Sequence, residues 1–354
     1  ASAIRSAILE VLRSKGASYS HVVTETIFLG DNSNIEHIRA ARARVLTKSE
    51  GTAHRPARTE IAQPPLNDGT DLEVLVHAIV PDTSPIQLDS FKTVTNCSCS
   101  ECARSQGLLA RQGAEARLYA GGLYGAGRNA YEQTCAMFEA AEKLLHQAGM
   151  EFSDVMRTWI YFPEMERDYA GFNRARREFF ETRRIDPVPA STGIGAGLIP
   201  SQHRVCLGIY AVKSDPATER IVMTTPTLNE APEYGSDFSR GMRVQETNAT
   251  RLLISGTASL DETGETVHVD DFQGQARRML LNVEALLKAQ GANFDDVVSA
   301  ITYVKHPGDA RHLREIFRDA GYEGFPNVIV AAEVCRTELL CETELLAVLS
   351  TTRA

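Results

Sequence analysis

Two carboxylates interrupt an apolar stretch near the end of the sequence, and their position points to acid chemistry. Glu342 and Glu344 lie within VCRTELLCETELLAV, residues 334–348, which otherwise has the composition of a buried strand. A carboxylate inside such a strand costs free energy unless it is used or paired. Because burial favours the protonated form, Glu342 is a candidate general acid. The structural alternative is an ion pair between Glu342 and Arg336 at a sheet edge.

Arginines form the second candidate group, because a planar guanidinium can hold a carboxylate through two parallel hydrogen bonds. Arg157 opens the apolar segment RTWIYF and is therefore predicted to be partly buried. The other arginines around one predicted helix are expected to form a solvated surface; they are Arg174, Arg177, Arg183 and Arg184.

Cysteines and histidines give no complete metal-ligand pattern. Cys97, Cys99 and Cys102 lie close together in TNCSCSEC, but no fourth ligand with paired spacing accompanies them. His77 lies in an apolar strand and is predicted to be a core residue, and no H-x-x-x-H pair occurs. We therefore predict neither a metal site nor an organic cofactor.

A glycine-rich segment, STGIGAGL at 191–198, has two interpretations. Its backbone amides could form a nest for an anion. Alternatively, its glycines let a strand bend against a neighbouring unit.

Composition excludes several classes of protein. The 354 residues are 43% hydrophobic and 23% charged with a net charge of −9, which does not favour nucleic-acid binding. Apolar runs fall short of the roughly 20 residues that a membrane helix needs. Seven cysteines without a secretory pattern indicate reduced thiols. We expect a cytoplasmic protein that binds neither nucleic acid nor a membrane.

The elements that must position these residues recur three times along the chain. Each copy has an amphipathic helix, a glycine that ends it, and a strand of β-branched and aromatic residues; the glycines are Gly16, Gly149 and Gly291. A second helix follows, at 33–48, 166–182 and 308–319, and then a proline-bearing turn and two strands. This order predicts an α+β fold in which helices pack on one face of each sheet.

The repeats set the predicted domain boundaries. Glycine spacings of 133 residues (Gly16 to Gly149) and 142 residues (Gly149 to Gly291) indicate repeated domains. Opening strands occur in the second and third repeats but are absent or displaced in the first. We predict repeat one at 1–81, a linker at 82–115, repeat two at 116–215, and repeat three, with the main active-site residues, at 219–350.

The repeat unit resembles the Rid/YjgF superfamily. The similarity lies in the helix–glycine–strand unit, the RPART turn at 55–59 and the closing E-x-E strand. Members are compact α+β subunits with a chorismate mutase-like fold, and they assemble as trimers with sites at the subunit clefts. The resemblance implies three units fused into one pseudo-trimeric chain. Such a chain is expected to be a monomer or a weak higher oligomer.

A sharper similarity, over roughly 120–350, is to the chorismatases, which cleave chorismate with loss of pyruvate. The matching segments are RTWIYFPE (157–164), GFNRARREFF (171–180), PASTGIGAG (189–197), FSRGMRV (238–244), ISGTASL (254–260) and AAEVCRTELLCETE (331–344). This implies a lyase or hydrolase without metal or cofactor that acts on a small-molecule carboxylate and gives a hydroxybenzoate or a dihydrodiol. Two other interpretations stay open: a Rid-type hydrolase of an imine, in which Glu342 activates water, and a non-catalytic small-molecule-binding homologue.

The same resemblance implies roles for the site residues. Glu342 would protonate an enol ether. Cys335, associated with the 3-hydroxybenzoate-forming type, would trap an intermediate or shape the pocket. Arg157 and Arg176 match family positions and would hold carboxylates. The other predicted substrate-binding residues are Tyr161, Arg240, Thr257, Arg336 and Arg58.

Arg58 occupies the Rid position that binds a substrate carboxylate. Repeat two has Ser191 at that position, and repeat three has Val328 or Asn327, whereas the closing glutamate of repeat three is Glu342. Because no repeat clearly keeps both groups, a simple imine deaminase built from one repeat is disfavoured.

Overall fold

In the computed structural model the chain folds into three sheets with helices packed against them, one sheet for each predicted repeat. The predicted α+β class and the three repeats are therefore confirmed. The structure describes residues 2–31, 33–49, 55–67, 69–80, 85–92, 97, 99, 106–199, 201–214, 216, 218–246 and 249–350.

The first repeat has four strands in the order β3-β1-β2-β9, and its last strand comes from the second repeat. Among its described residues, no strand precedes β1. The elements are α1 (Ser2–Ser14), β1 (Val22–Leu29), α2 (Ile35–Ser49), β2 (Ala57–Ala62), β3 (Leu72–Ala78) and β9 (Gly197–Leu198).

The second repeat has six strands in the order β4-β5-β6-β10-β7-β8. Its elements are β4 (Gln87–Lys92), β5 (Gln106–Gln112), β6 (Glu115–Leu123), α3 (Ala130–Gln147), β7 (Val155–Phe162), α4 (Met165–Arg183), β8 (Ala190–Gly195) and β10 (Cys206–Ser214).

The third repeat has the corresponding order β11-β12-β13-β16-β14-β15. Its elements are β11 (Glu219–Val222), β12 (Gly241–Gln245), β13 (Ala249–Ala258), α5 (Phe272–Lys288), β14 (Val297–Val304), α6 (Ala310–Asp319), β15 (Asn327–Ala331) and β16 (Cys341–Ser350).

A shared topology explains why the closing strand can carry buried polar groups. In each repeat a helical crossover joins two parallel neighbours: β1 with β2, β7 with β8, and β14 with β15. The closing strand then pairs antiparallel with the first of them. In the second and third repeats it lies inside the sheet, as β10 and β16. A side chain on β16 is therefore covered by neighbouring strands on both sides.

The stretch expected to be a linker differs from the prediction. Strands β4 and β5 lie within 82–115, and β5 pairs antiparallel with β6. They extend the second sheet in the way that β11 and β12 extend the third. The composition around the cysteines suggested a loop, but the apolar run of β5 buries both faces of the strand: Leu109 packs in one core cluster, and Leu108 and Ala110 pack in another.

A central cavity of about 370 Å³ lies where the three sheets meet, and residues from every repeat line it. His77, predicted to be a core residue, borders this cavity and lies within hydrogen-bond distance of Thr24 (3.1 Å) and Ser299 (3.2 Å). Burial lowers the pKa of His77 to about 4, so it is neutral.

None of the described helices combines the length and the apolar character that a membrane crossing requires.

Candidate functional site

A second cavity, of about 260 Å³, lies between the second and third repeats and contains Glu342. The second repeat contributes α4 and β8, and the third contributes β13, β16 and the loop before β16. We name this cavity the acid pocket and define it by its lining residues: Tyr169, Phe172, Arg176, Ser191, Gly193, Ser236, Phe238, Arg240, Gly256, Ala258, Leu260, Cys335, Arg336, Leu339 and Glu342.

Glu342 enters the acid pocket from the second residue of β16. Its neighbours across the sheet are Ala258 on β13 and Tyr303 on β14. The residue is 4% exposed. Gly256 leaves room for its carboxyl group, because a Cβ at that position would overlap it. The residue type at position 256 on the neighbouring strand β13 therefore decides whether the Glu342 carboxyl group fits.

The surroundings of Glu342 favour its protonated form. Burial raises the pKa of the carboxyl group, and the charge of Glu344 raises it further. Arg157 and Arg240 lower it by less, so the pKa is about 8. Burial, and not an ion pair, therefore determines the pKa of Glu342, so the carboxyl group holds a proton at neutral pH.

Glu344, two residues along β16, is ion-paired. Its Oε2 accepts a hydrogen bond from Arg157 Nη2 at 2.7 Å, and its Oε1 accepts one from Trp159 Nε1 at 2.7 Å. Both donors lie on β7 of the second repeat. The two carboxylates of the closing strand thus have different environments: Glu342 borders the acid pocket, and Glu344 borders the central cavity.

Three candidate arginines line the acid pocket, namely Arg176, Arg240 and Arg336. Arg176 and Arg240 are 3% and 2% exposed, and their guanidinium groups lie over Phe172 at 5.0 Å and Phe238 at 5.7 Å. Arg336 is partly exposed and donates a hydrogen bond to a backbone carbonyl oxygen at 2.7 Å. Three cations beside one neutral acid favour a ligand that carries more than one negative charge.

Cys335 also lines the acid pocket. Although part of the residue is exposed, desolvation of the thiol and the charge of Glu342 raise its pKa to about 12. Arg336 and Arg240 lower the pKa by less. Since the thiolate is the nucleophilic form, a protonated Cys335 favours pocket shaping over the trapping of an intermediate.

Arg157 and Tyr161, predicted to bind substrate, do not line the acid pocket. Both are buried and border the central cavity, because positions four residues apart on one strand share a face. The guanidinium of Arg157 binds the Thr192 hydroxyl as well as Glu344. Arg157 therefore acts on Glu342 through its charge, which lowers the pKa of the acid, and not as a wall of the pocket.

Thr257 and Arg58 lie outside the acid pocket too. Thr257 stands between two pocket-lining residues of β13, so strand alternation turns its side chain away, and its hydroxyl donates to the Ser255 carbonyl oxygen at 2.9 Å. Arg58 belongs to the first repeat, where it pairs with Glu60 at 3.2 Å. Sequence position alone does not show which cleft a strand residue faces.

An aromatic wall completes the acid pocket, and sequence reasoning did not single it out. Tyr169 and Phe172 on α4 have ring centroids 6.3 Å apart and nearly parallel planes. Their spacing to each other and to Arg176 is three and then four residues, which places all three on one helix face. This helical spacing is the feature of the sequence from which the aromatic wall could have been predicted.

The glycine-rich segment forms β8 and β9, so its glycines serve close packing. The amide of Gly195 donates to the Glu333 carbonyl oxygen at 2.8 Å. A Cβ at Gly195 would lie only 2.9 Å from the Cβ of Glu333. The structure favours the interpretation of a strand that closes against the neighbouring repeat over that of an anion nest.

The cysteine cluster has a partner that the sequence pattern does not reveal. Cys97 and Cys99 lie beside His203, more than a hundred residues later in the chain. Cys102 lies outside the described residues. The prediction of no metal site rested on a missing ligand, and the ring nitrogen of His203 is a further donor that the cysteine pattern does not contain.

Comparisons with known proteins match this architecture. The family model described as endoribonuclease L-PSP matches the chain over residues 1–80, 100–213 and 229–349. A solved crystal structure of a chorismatase superimposes with a TM-score of 0.65 at 19% identity, covering 93% of each chain. At that identity the likeness shows a shared fold.

Two curated relatives are similar over most of their length. A 3-hydroxybenzoate synthase from Streptomyces hygroscopicus is 30% identical over 238 residues, which cover 60% of this chain and 68% of that protein. A chorismatase from Streptomyces rapamycinicus is 28% identical over 256 residues, which cover 65% of this chain and 72% of that protein.

Proposed function

Because this chain belongs to the endoribonuclease L-PSP family, the predicted Rid/YjgF superfamily, we propose that it is a chorismatase-like enzyme. It cleaves the enol ether of chorismate, or of a closely related dicarboxylate, and releases pyruvate. The proposal rests on the protonation of Glu342. Its pKa of about 8 keeps a proton on the carboxyl group at neutral pH, and three arginines line the pocket around it.

Protonation of the substrate is the step that needs such an acid. The methylene carbon of the enol ether takes the proton of Glu342, and the π electrons of the double bond form the new C–H bond. An oxocarbenium ion and the Glu342 carboxylate result. Arg157 and Arg240 favour the ionised form of Glu342, so they stabilise the carboxylate once the proton has left.

Capture by water completes the cleavage. Water adds to the oxocarbenium carbon, and its released proton returns to Glu342. The hemiketal then collapses, which breaks the bond between this carbon and the ring oxygen and gives pyruvate and a ring diol. Loss of the neighbouring hydroxyl as water would convert the diol into an aromatic hydroxybenzoate. Each route yields one pyruvate per substrate.

The arginines of the acid pocket suit the two carboxylates of chorismate. Arg176 and Arg240 are buried and approach the pocket from different repeats, so they can hold opposite ends of a ligand. Phe172 and Phe238 offer apolar faces to a ring. The neutral thiol of Cys335 shapes the pocket beside Glu342 and biases the product towards 3-hydroxybenzoate.

An imine hydrolase of the Rid type is less well supported. That chemistry uses an ionised glutamate to activate water, whereas Glu342 is protonated at neutral pH. The Rid carboxylate-binding arginine, Arg58, lies in the first repeat and pairs with Glu60. Of the two curated relatives, one is named for chorismate as its substrate and the other for 3-hydroxybenzoate as its product, which agrees with the proposed reaction.

The test is to incubate the purified protein with chorismate and measure pyruvate by coupling to lactate dehydrogenase, with product chromatography. A reaction without protein corrects for spontaneous decay of chorismate. We expect pyruvate and 3-hydroxybenzoate in equal amounts. A non-aromatic diol would keep the reaction and overturn the product assignment, and no pyruvate above the background would overturn the proposal.

A further inference from the structure

Two thiols and an imidazole converge at a point that the proposed reaction does not use. The Nε2 atom of His203 lies 3.7 Å from Cys97 Sγ and 3.8 Å from Cys99 Sγ, and all three ligand atoms lie within 4.8 Å of one another. None of these residues lines the acid pocket or the central cavity. Their convergence therefore calls for a separate explanation.

The spacing of these atoms fits a metal ion. Zinc lies about 2.3 Å from a thiolate sulfur and about 2.0 Å from an imidazole nitrogen, so a tetrahedral site separates sulfur and nitrogen by roughly 3.6 Å. The two observed distances are close to this value. Paired thiolates with an imidazole are a donor set typical of Zn²⁺, while oxygen-preferring Mg²⁺ and Ca²⁺ would bind poorly.

The imidazole is held in place before any metal arrives. His203 is 4% exposed, and its ring lies 4.8 Å from the ring of Tyr124. The backbone of Gly125 also interacts with the imidazole. Burial and the contact with Tyr124 limit the movement of the ring while Nε2 faces the two thiols.

We propose that Cys97, Cys99 and His203 form a structural zinc site. Binding displaces the two thiol protons to solvent and forms two Zn–S bonds and one Zn–N bond, with the fourth position filled by water or another donor. The site fastens Cys97 and Cys99, which come between β4 and β5 in the sequence, to His203, which precedes β10. The cysteines are distant from the histidine in sequence, so the metal closes a long loop and stabilises the second repeat.

Metal content of the intact protein tests the site directly. Protein purified without chelator is expected to contain about one Zn²⁺ per chain, and Cys97→Ser, Cys99→Ser and His203→Ala are each expected to lose most of it. Cys135→Ser is the matched control, because Cys135 is a free, partly exposed cysteine on α3. That variant should keep the wild-type zinc content.

Cobalt gives a second readout that does not depend on stability. Co²⁺ added to the metal-free protein should produce the absorption of thiolate-to-cobalt charge transfer, and this band should be lost in Cys99→Ser and kept in Cys135→Ser. Unchanged zinc content in the three site variants would overturn the proposal. A wild-type protein that neither contains Zn²⁺ nor gives the cobalt band would overturn it too. Activity on chorismate enters neither measurement.

Discussion

At the scale of single residues, the proposed chemistry depends on the proton that Glu342 carries. Desolvation raises the pKa of this carboxyl group, Glu344 adds to the effect, and Arg157 and Arg240 limit it. A carboxyl group in open water would be ionised at neutral pH and could not donate a proton. The pocket thus converts an ordinary glutamate into an acid suited to neutral conditions.

The dependence of activity on pH should show this acid. With a pKa of about 8 for Glu342, kcat/KM is expected to be level through neutral pH and to fall roughly tenfold per pH unit above about 8. The measurement is initial pyruvate release from chorismate between pH 6 and about pH 10. Activity that rises through pH 8 would mean that the ionised carboxylate is the active form, as in the imine-hydrolase alternative.

The same pKa predicts an effect on stability. A carboxyl group whose pKa is raised from 4.5 to about 8 contributes most to stability below 4.5, and this contribution is lost as the pH rises towards 8. Glu342→Gln has no charge to bury, so its melting temperature should exceed that of the wild type increasingly between these pH values and level off above them. The corresponding difference in the free energy of unfolding is on the order of a few kcal/mol.

Thermal unfolding of both proteins at pH 5 and pH 9 measures this effect. Glu315→Gln is the control, because Glu315 is 47% exposed on α6 and pairs with a neighbour on its own helix. The control should change stability by less than about 0.5 kcal/mol at either pH. If Glu342→Gln and wild type differed in stability by the same amount at both pH values, the pKa of Glu342 would be that of an ordinary exposed glutamate.

Some of these residues could be predicted from the sequence. A glutamate in an apolar strand is a strong local signal, and Glu342 follows from it. Arg157 shows the limit: its buried position was predictable, but its partner, Glu344, comes from another repeat. Which charge a buried arginine meets depends on how two sheets pack, and the sequence pattern does not contain that information.

At the scale of elements, helices and strands follow closely from residue periodicity. The predicted second helices at 166–182 and 308–319 correspond to α4 (Met165–Arg183) and α6 (Ala310–Asp319). The glycines predicted to end the first helices have left-handed φ angles of 69°, 75° and 72° at Gly16, Gly149 and Gly291. Strands β4 and β5 were missed because a neighbouring cysteine-rich stretch resembles a loop.

Gly256 on β13 tests how one strand positions the acid. In Gly256→Ala the new Cβ would overlap the Glu342 carboxyl group and lie 3.1 Å from a Thr192 methyl group. The acid must move, so we expect turnover to fall at least tenfold and stability to fall by about 1–3 kcal/mol. Steady-state kinetics and thermal unfolding measure the two effects.

Gly308→Ala is the matched control, because a Cβ at Gly308 meets no heavy atom within 4 Å. It should keep the activity and the stability of the wild type. If Gly256→Ala behaved like this control, the close approach of β13 to the acid would have no functional role.

At the scale of the whole molecule, the three repeats are joined in a closed ring. The last residues of β2, β8 and β15 bond to residues that follow these strands in the neighbouring repeat: Ala62 pairs with Gly197, the amide of Gly195 donates to Glu333, and the amide of Ala331 donates to the Pro64 carbonyl oxygen. Fusion frees each cleft to differ, and the acid pocket occupies the cleft between repeats two and three.

The ring predicts that the chain needs no partner copy to complete its interfaces. We expect a single species with the mass of one chain, 38.8 kDa, across a hundredfold range of concentration. Size-exclusion chromatography with light scattering measures this mass. A dimer or trimer that persists on dilution would show that an outer surface of the repeats forms a further interface.

The three repeats could be predicted from the sequence. Which residues of two repeats face each other across a cleft could not. Arg176 and Glu342 lie in different repeats and meet only because β8 packs against β13. Cys97 and His203 are likewise distant in sequence and come together only in the folded chain. Contacts between segments that are distant in sequence depend on how the repeats pack together. Residue patterns in a single sequence do not predict them.

Whether Glu342 is the general acid is decided by the rate of pyruvate release from chorismate at pH 7, measured side by side for wild type, Glu342→Gln and Glu315→Gln. Glu342→Gln should lose at least ~100-fold in kcat while its circular dichroism spectrum stays that of the wild type. Glu315→Gln should stay within about twofold of the wild type. Turnover by Glu342→Gln close to the wild-type rate would contradict the assignment of Glu342 as the general acid.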